Sequence, residues 1–195
     1  MDEIYQKIWE LAKPYYKRGR SYDIPHIKWM MEKAQHILNT EKFNGKLLLP
    51  ICILHDVGYG EVTKDKNPQM KNKEVKIEHM EAGAKIADKI LRGLELDDNL
   101  IKDITRYISV HDNWILGDNT PYQQCREMAL FNDLDFLWVT SSWDVFTMFA
   151  KSTNMSPQKF YEFWRKDEKL INRPFCCNQT QKIWNESLEK IKNHL

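Results

Sequence analysis

Glycine and proline are scarce in this 195-residue chain, with seven of each. Sheets built from strands and tight turns use both residues often, so their scarcity favours helices. A long hydrophobic run is also missing. The longest nearly apolar stretch, residues 47–54, contains Pro50 and is far too short to span a membrane. The first residues show no basic segment followed by an apolar one, and we therefore expect neither a signal peptide nor a membrane partner.

An excess of charge of one sign is absent as well. The 29 lysines and arginines balance 28 acidic residues, which leaves a formal net charge of +1. Proteins that coat DNA or RNA are strongly basic, so no nucleic-acid partner is expected. Only four cysteines occur and none forms a C-x-x-C pair. A reduced, cytoplasmic setting fits this pattern better than a disulfide framework does.

Apolar residues recur with helical spacing through most of the chain, which predicts an all-α protein. The first helix is expected to bury Ile4, Ile8, Leu11 and Tyr15. Asp23 is a candidate N-cap for the second helix, with Pro25 in its first turn. Further helices are predicted near residues 77–91, 100–108, 122–150, 157–170 and 183–191. We expect one domain over residues 1–195, with a core at about 22–140 and C-terminal helices at about 141–195 packing on it.

Two segments are harder to interpret from their pattern. The apolar run from Leu47 to Asp56 fits a buried strand or a buried helix, and Pro50 favours the helix because proline is poorly tolerated in a central strand. Residues 58–76 lack periodicity and carry several lysines, which predicts a long loop or lid. Such a charged segment is more often solvated surface than a substrate-attracting lid.

Histidines and aspartates stand at the predicted helix ends. His55 and Asp56 are adjacent at the end of the apolar run, where two buried ionisable groups are costly unless they are paired or bind a metal. His26 opens a predicted helix, while Asp133 lies in an apolar stretch that makes an aspartate expensive. We assign no site role to His36 and His194, and we expect Asp112 to be solvated at its helix end.

The order of these residues resembles the HD-domain superfamily of metal-dependent phosphohydrolases. The pattern is a histidine, a His-Asp doublet, further histidines and a distal aspartate. The segments that match are residues 23–26, 54–58, 78–83, 110–112 and 134–137. The resemblance implies an all-α, HD-domain-like helical bundle with a metal site between its helices.

The resemblance also implies roles for individual residues. The implied metal ligands are His26, His55, Asp56 and Asp135. Asp135 is preferred to Asp133 because the distal aspartate of the family usually precedes a variable residue and then leucine. His79 and His111 would hold a second metal or contact the substrate phosphate, which makes them catalytic residues together with Asp56. Gly83, on the same face as His79, would leave room for a ligand or a neighbouring helix.

The implied activity is hydrolysis of a small phosphate ester, with a nucleotide as one candidate, by attack of a metal-bound hydroxide. One or two divalent ions are implied, and Mn, Fe, Co, Ni, Zn and Mg all suit these ligands. Three positions differ from residues common in the superfamily: Trp29, Tyr59 and Phe136 stand where a charged residue is frequent. Two alternatives remain open at this point, a di-iron oxygenase with the same fold and a non-catalytic module that binds a regulatory ligand.

Overall fold

A computed structural model describes residues 2–62 and 72–195 of the chain. Regular secondary structure in these residues is helical and includes no strand, which confirms the predicted all-α class. The helices in chain order are α1 (Glu3–Tyr16), α2 (Asp23–Leu38), α3 (Gly45–Leu54), α4 (Tyr59–Val62), α5 (Lys73–Gly93), α6 (Asp98–Ile108), α7 (Thr120–Gln124), α8 (Arg126–Trp138), α9 (Trp143–Ser152), α10 (Pro157–Trp164), α11 (Lys169–Asn172) and α12 (Asn178–Lys192). A 3₁₀ helix, Asn113–Leu116, follows α6.

The chain forms two compact units, Met1–Pro121 and Tyr122–Leu195. The sequence predicted a single domain over residues 1–195 with a core that ends near residue 140, and this organisation stays a prediction. No helix in the part of the chain that the structure describes combines the length and the apolar character that a bilayer crossing needs.

Helix α3 forms the centre of the first unit. Its residues Leu47–Leu54 are all buried, and it packs against α1, α2 and α6. A helix that is apolar on every side needs neighbours on every side, which explains its central position. The predicted preference for helix over strand is confirmed, and Pro50 lies in the second turn of α3.

Helix α1 buries only part of the predicted face, because Ile8 is buried as expected but Leu11 is not. Leu11 is 46% exposed, whereas Trp9 and Tyr16 are buried, with their ring centroids 5.9 Å apart. The Tyr16 hydroxyl also donates a hydrogen bond to the carbonyl of Ile53 in α3. The larger area of these two aromatic side chains, together with this bond, sets the orientation of α1.

The segment around α4 corrects another expectation. Residues 59–62 and 73–76 are helical rather than parts of one long loop. The lysines at positions 64, 66 and 71 lie outside the described residues. Lys76 belongs to α5, and its side chain is only 14% exposed, which contradicts the expectation of solvated surface.

The second unit has an aromatic core. Phe136 of α8 stacks on Trp164 of α10 with a centroid distance of 4.6 Å, and it lies 5.2 Å from Trp184 of α12. Phe146 of α9 and Phe160 of α10 are also buried against each other. These aromatic residues therefore fill a core.

Candidate metal centre

Five predicted site residues lie together in the first unit. Each is at most 4% exposed, and they come from four segments of the chain: His26 from α2, His55 and Asp56 from the end of α3, His79 from α5 and His111 from the turn after α6. The structure thus brings together predicted residues that are up to 85 positions apart in the chain, and their roles as metal ligands stay a prediction.

Asp56 lies between two pairs of imidazoles. Its Oδ2 atom is 3.6 Å from Nδ1 of His26 and 3.1 Å from Nε2 of His55. Its Oδ1 atom is 3.5 Å from Nε2 of His79 and 3.5 Å from Nε2 of His111. Each carboxylate oxygen thus faces its own pair of histidines.

Helix backbone atoms orient three of the four imidazoles. Nδ1 of His55 lies 3.2 Å from the carbonyl of Cys52, and Nδ1 of His79 lies 3.2 Å from that of Val75. Nδ1 of His111 lies 2.7 Å from the carbonyl of Ile108. A carbonyl only accepts, so each Nδ1 donates. The lone pair of each neutral ring then sits on Nε2 and faces Asp56, as in metal-binding histidines.

Two glycines bring the His55–Asp56 segment against α5. A Cβ atom on Gly58 would lie 2.0 Å from the carbonyl oxygen of His79 and 2.6 Å from the backbone nitrogen of Gly83. A Cβ atom on Gly83 would lie 3.3 Å from the carbonyl oxygen of His55. The expected role of Gly83, room for a neighbouring element, is therefore confirmed: the neighbour is the segment that carries Asp56.

Arg20 is a member of the cluster that the sequence did not reveal. Its Nη2 binds Oδ2 of Asp56, and its Nε donates to Oδ1 of Asp23 at 2.7 Å. Asp23 also accepts a hydrogen bond from the backbone nitrogen of Arg20. It is the first residue of α2 and not its N-cap. No local pattern signals Arg20, because its partner Asp56 is 36 positions away.

Asp56 stays ionised in this environment. Burial raises the pKa of its carboxyl group, but the nearby charges of Arg20 and His55 outweigh burial and hold that pKa well below its ordinary value. The guanidinium of Arg20 also lies 3.7 Å from the ring centroid of Tyr59, which in turn stacks on His79 at 4.0 Å. Arg20 and Tyr59 thereby hold both Asp56 and His79 in place.

Burial lowers the pKa of His79 to about 4. Its ring is neutral at pH 7, which is the state that a metal ligand needs. For His111, burial also acts to lower the pKa, but the charges of Asp112 and Asp56 outweigh it and raise the pKa above its ordinary value. The two Nε2 atoms are 3.1 Å apart, close enough to serve one bound cation.

The expectation that Asp112 is solvated at its helix end is wrong, because the residue is buried. Only 1% of the residue is exposed, and its Oδ2 binds the ammonium of Lys76. Burial raises the pKa of Asp112, but the charges of Lys76 and His111 lower it far below the usual range. Lys76 lies one helical turn before His79, and that spacing is the sequence signal by which it could have been found.

The second unit contains Asp133 and Asp135, the two candidates for the distal ligand. Asp133 is buried, and its carboxylate binds the ammonium of Lys169, the backbone nitrogen of Cys176 at 2.8 Å and the hydroxyl of Thr180 at 2.8 Å. These contacts give Asp133 a structural role. Asp135 lies two residues later on α8 and is half-buried, and its role as the distal ligand stays a prediction.

The donors of the first unit fit a divalent cation. One atom each of Asp56, His79 and His111 all lie within 4.8 Å of one another. A buried set of imidazoles around an ionised carboxylate suits the divalent transition metals. Water is excluded from all five side chains, so the charge of a bound cation would be poorly screened there.

A comparison with protein families agrees with this geometry. The family model described as HD domain matches residues 24–133, which is more than half of the chain and includes His26, His55, Asp56, His79 and His111. No curated protein and no solved structure gives a match. HD domains are all-α, bind divalent metals and generally act as metal-dependent phosphohydrolases. The chain therefore belongs to the HD-domain family.

Proposed function

We propose that this protein hydrolyses a small phosphate monoester, a nucleotide among the candidates, with divalent metal bound at the cluster around Asp56. One observation carries the proposal: the two oxygens of Asp56 face two separate pairs of imidazoles. A carboxylate in this position is suited to bridge two cations. Membership of the HD-domain family supplies the reaction class.

The proposed ligands divide into two sets. His26, His55, Asp56 and Asp135 would hold one cation, and Asp56, His79 and His111 would hold the other. Bound divalent cations lower the pKa of a coordinated water and neutralise charge on phosphate oxygens. The protein's part is to keep Asp56 ionised, to orient His55, His79 and His111 with Nε2 towards the site, and to bury these side chains.

The first prediction concerns metal content. Asp56→Ala removes the carboxylate common to both sets, so the purified variant should contain no stoichiometric metal, whereas His79→Ala should keep the metal of the other set. The control is Asp103→Ala, an aspartate whose side chain is 55% exposed on α6, which should match the wild type. Elemental analysis of the four proteins measures this. Equal metal content in all four would contradict the proposed coordination.

Activity is tested on the same four proteins. The wild type and Asp103→Ala should release phosphate from nucleotides and generic phosphomonoesters with Mn²⁺, Co²⁺ or Mg²⁺. Asp56→Ala should lose about 100-fold or more in kcat/KM, because a missing cation removes several kcal/mol of transition-state stabilisation. No phosphate release under any of these conditions would refute hydrolysis, and iron-dependent oxygen uptake in its place would identify an oxygenase.

A further inference from the structure

Lys76 and Asp112 form a buried ion pair beside the cluster around Asp56. The Lys76 ammonium binds Oδ2 of Asp112, and the two side chains are only 14% and 2% exposed. Asp112 is fixed from its other side, because Nε1 of Trp114 donates to its Oδ1 at 2.9 Å. The ammonium is therefore held at one defined position in the first unit.

This position adjoins the pair of histidines on the Oδ1 side of Asp56. The Asp112 oxygen that binds Lys76 lies 3.5 Å from Nε2 of His79 and 3.7 Å from Nε2 of His111. A single carboxylate oxygen thus separates the ammonium from the imidazoles. Lys76 and His79 are three residues apart on α5, so their side chains lie on the same face of that helix.

Arg20 is the other buried cation beside the cluster in the described part of the first unit, and its guanidinium already binds two carboxylates. It contacts Asp23 through Nε and Asp56 through Nη2. Among the residues that the structure describes, one carboxylate binds Lys76, and an ammonium carries three N–H donors. Lys76 is therefore better placed than Arg20 to bind a further anion.

A contribution to stability alone does not explain why Lys76 and Asp112 form a buried pair. Taking two charges out of water costs several kcal/mol for each ion, and well-packed apolar residues often stabilise a protein as well as a buried pair does. A cation beside a metal cluster, by contrast, offers charge and hydrogen bonds to an anionic substrate.

We infer that Lys76 binds a non-bridging oxygen of the substrate phosphate, and that Asp112 positions its ammonium for this contact. The inference rests on the proposed phosphohydrolase function and adds a substrate-binding residue to it. Because the contact forms with the ground-state phosphate as well as in the reaction, it strengthens substrate binding more than it speeds the chemical step.

The test is Lys76→Met with Mn²⁺-loaded protein. KM for p-nitrophenyl phosphate and the Kd for inorganic phosphate should both rise by about tenfold or more, the size expected for a lost hydrogen bond to a charged group, while kcat stays close to the wild type. Lys76→Arg should restore much of both constants because it returns the charge. The matched control is Lys73→Met, an exposed lysine on the same helix, which should behave as the wild type.

Measurements of KM, phosphate Kd and metal content distinguish the possible outcomes. Wild-type KM and phosphate Kd in Lys76→Met would overturn the inference and leave the hydrolase intact. Loss of metal together with the rise in KM would also overturn it, because Lys76 would then act through the cluster's structure. If the wild type hydrolyses no ester yet loses phosphate affinity in Lys76→Met, the phosphate contact stands while the proposed hydrolysis fails. Should Lys76→Met not fold, Lys76→Gln, which keeps a polar end group without the charge, decides by the same readings.

Discussion

Single residues around Asp56 show how a dense group of ionisable side chains is kept stable. Arg20 is only 8% exposed and binds Asp23 and Asp56 together, so one guanidinium offsets two buried carboxylates. Buried charges without a partner are far more costly than exposed ones. The free energy of folding therefore depends on Arg20, although no sequence motif contains it.

Replacing Arg20 by leucine should destabilise the protein by about 3–5 kcal/mol, because it leaves both carboxylates without their buried cation. Denaturant unfolding of the metal-free protein measures the change. Arg18→Leu is the matched control, since the Arg18 side chain is 51% exposed and its ion pair with Glu61 should be worth less than about 1 kcal/mol. Equal losses in the two variants would show that Arg20 has no special role.

At the scale of helices, the site depends on how closely the end of α3 approaches α5. Gly58 lies against the backbone of α5 at His79 and Gly83, with no space for a side chain. Asp56 lies two residues before Gly58, so this close approach places Asp56 beside His79 of α5. Oδ1 of Asp56 lies 3.5 Å from Nε2 of His79. The geometry of the cluster is therefore a consequence of backbone packing as well as of the ligands themselves.

Gly58→Ala should lower the free energy of unfolding by about 3 kcal/mol or more, because its Cβ meets backbone atoms that cannot move independently. Metal content should fall with it as Asp56 and His79 separate. Thermal unfolding and elemental analysis check the two effects.

Gly93→Ala provides the control for this prediction. A Cβ atom there has nothing within 4 Å, and alanine at the end of α5 should leave stability unchanged or raise it by up to about 1 kcal/mol. A variant of Gly58 that is as stable as the Gly93 variant would show that the close contact is not required.

At the scale of the whole molecule, the chain comprises two units, and each contains a buried polar network. The first surrounds Asp56, and the second joins Asp133 of α8 to Lys169, Cys176 and Thr180. Helix α8 carries both Asp133 and Asp135, so two aspartates two positions apart have different expected roles. Separate measurements of stability and metal content distinguish them.

Asp133→Ala should destabilise the second unit by about 3–5 kcal/mol, since Lys169 would remain buried without its counter-charge, while metal content should not change below the unfolding transition. Asp135→Ala should have the opposite profile, with little change in stability and a loss of bound metal. Calorimetry and elemental analysis of both variants provide the readings. Metal loss confined to Asp133→Ala would mean that the distal ligand was assigned to the wrong aspartate.

Much of the fold could be predicted because helical periodicity and caps are local properties of the chain. Asp97 caps α6 and Ser156 caps α10, close to the predicted helix starts at residues 100 and 157. Errors arose where packing outweighed the local pattern. Leu11 fits an apolar stripe on α1, yet the larger Trp9 and Tyr16 fill the interface. Asp23 looks like an N-cap, yet Arg20 binds its carboxylate.

The sequence by itself determined the helical class and the HD-domain family, and it singled out five residues that lie together in the structure, namely His26, His55, Asp56, His79 and His111, because residue type and order are properties of the chain alone. Only the tertiary structure decided which oxygen of Asp56 faces which histidines, and that Arg20, Lys76 and Asp112 are buried beside them. The physical reason is that burial and charge pairing depend on contacts between distant segments. Lys76 and Asp112, for example, are 36 positions apart and meet only when α5 packs against α6.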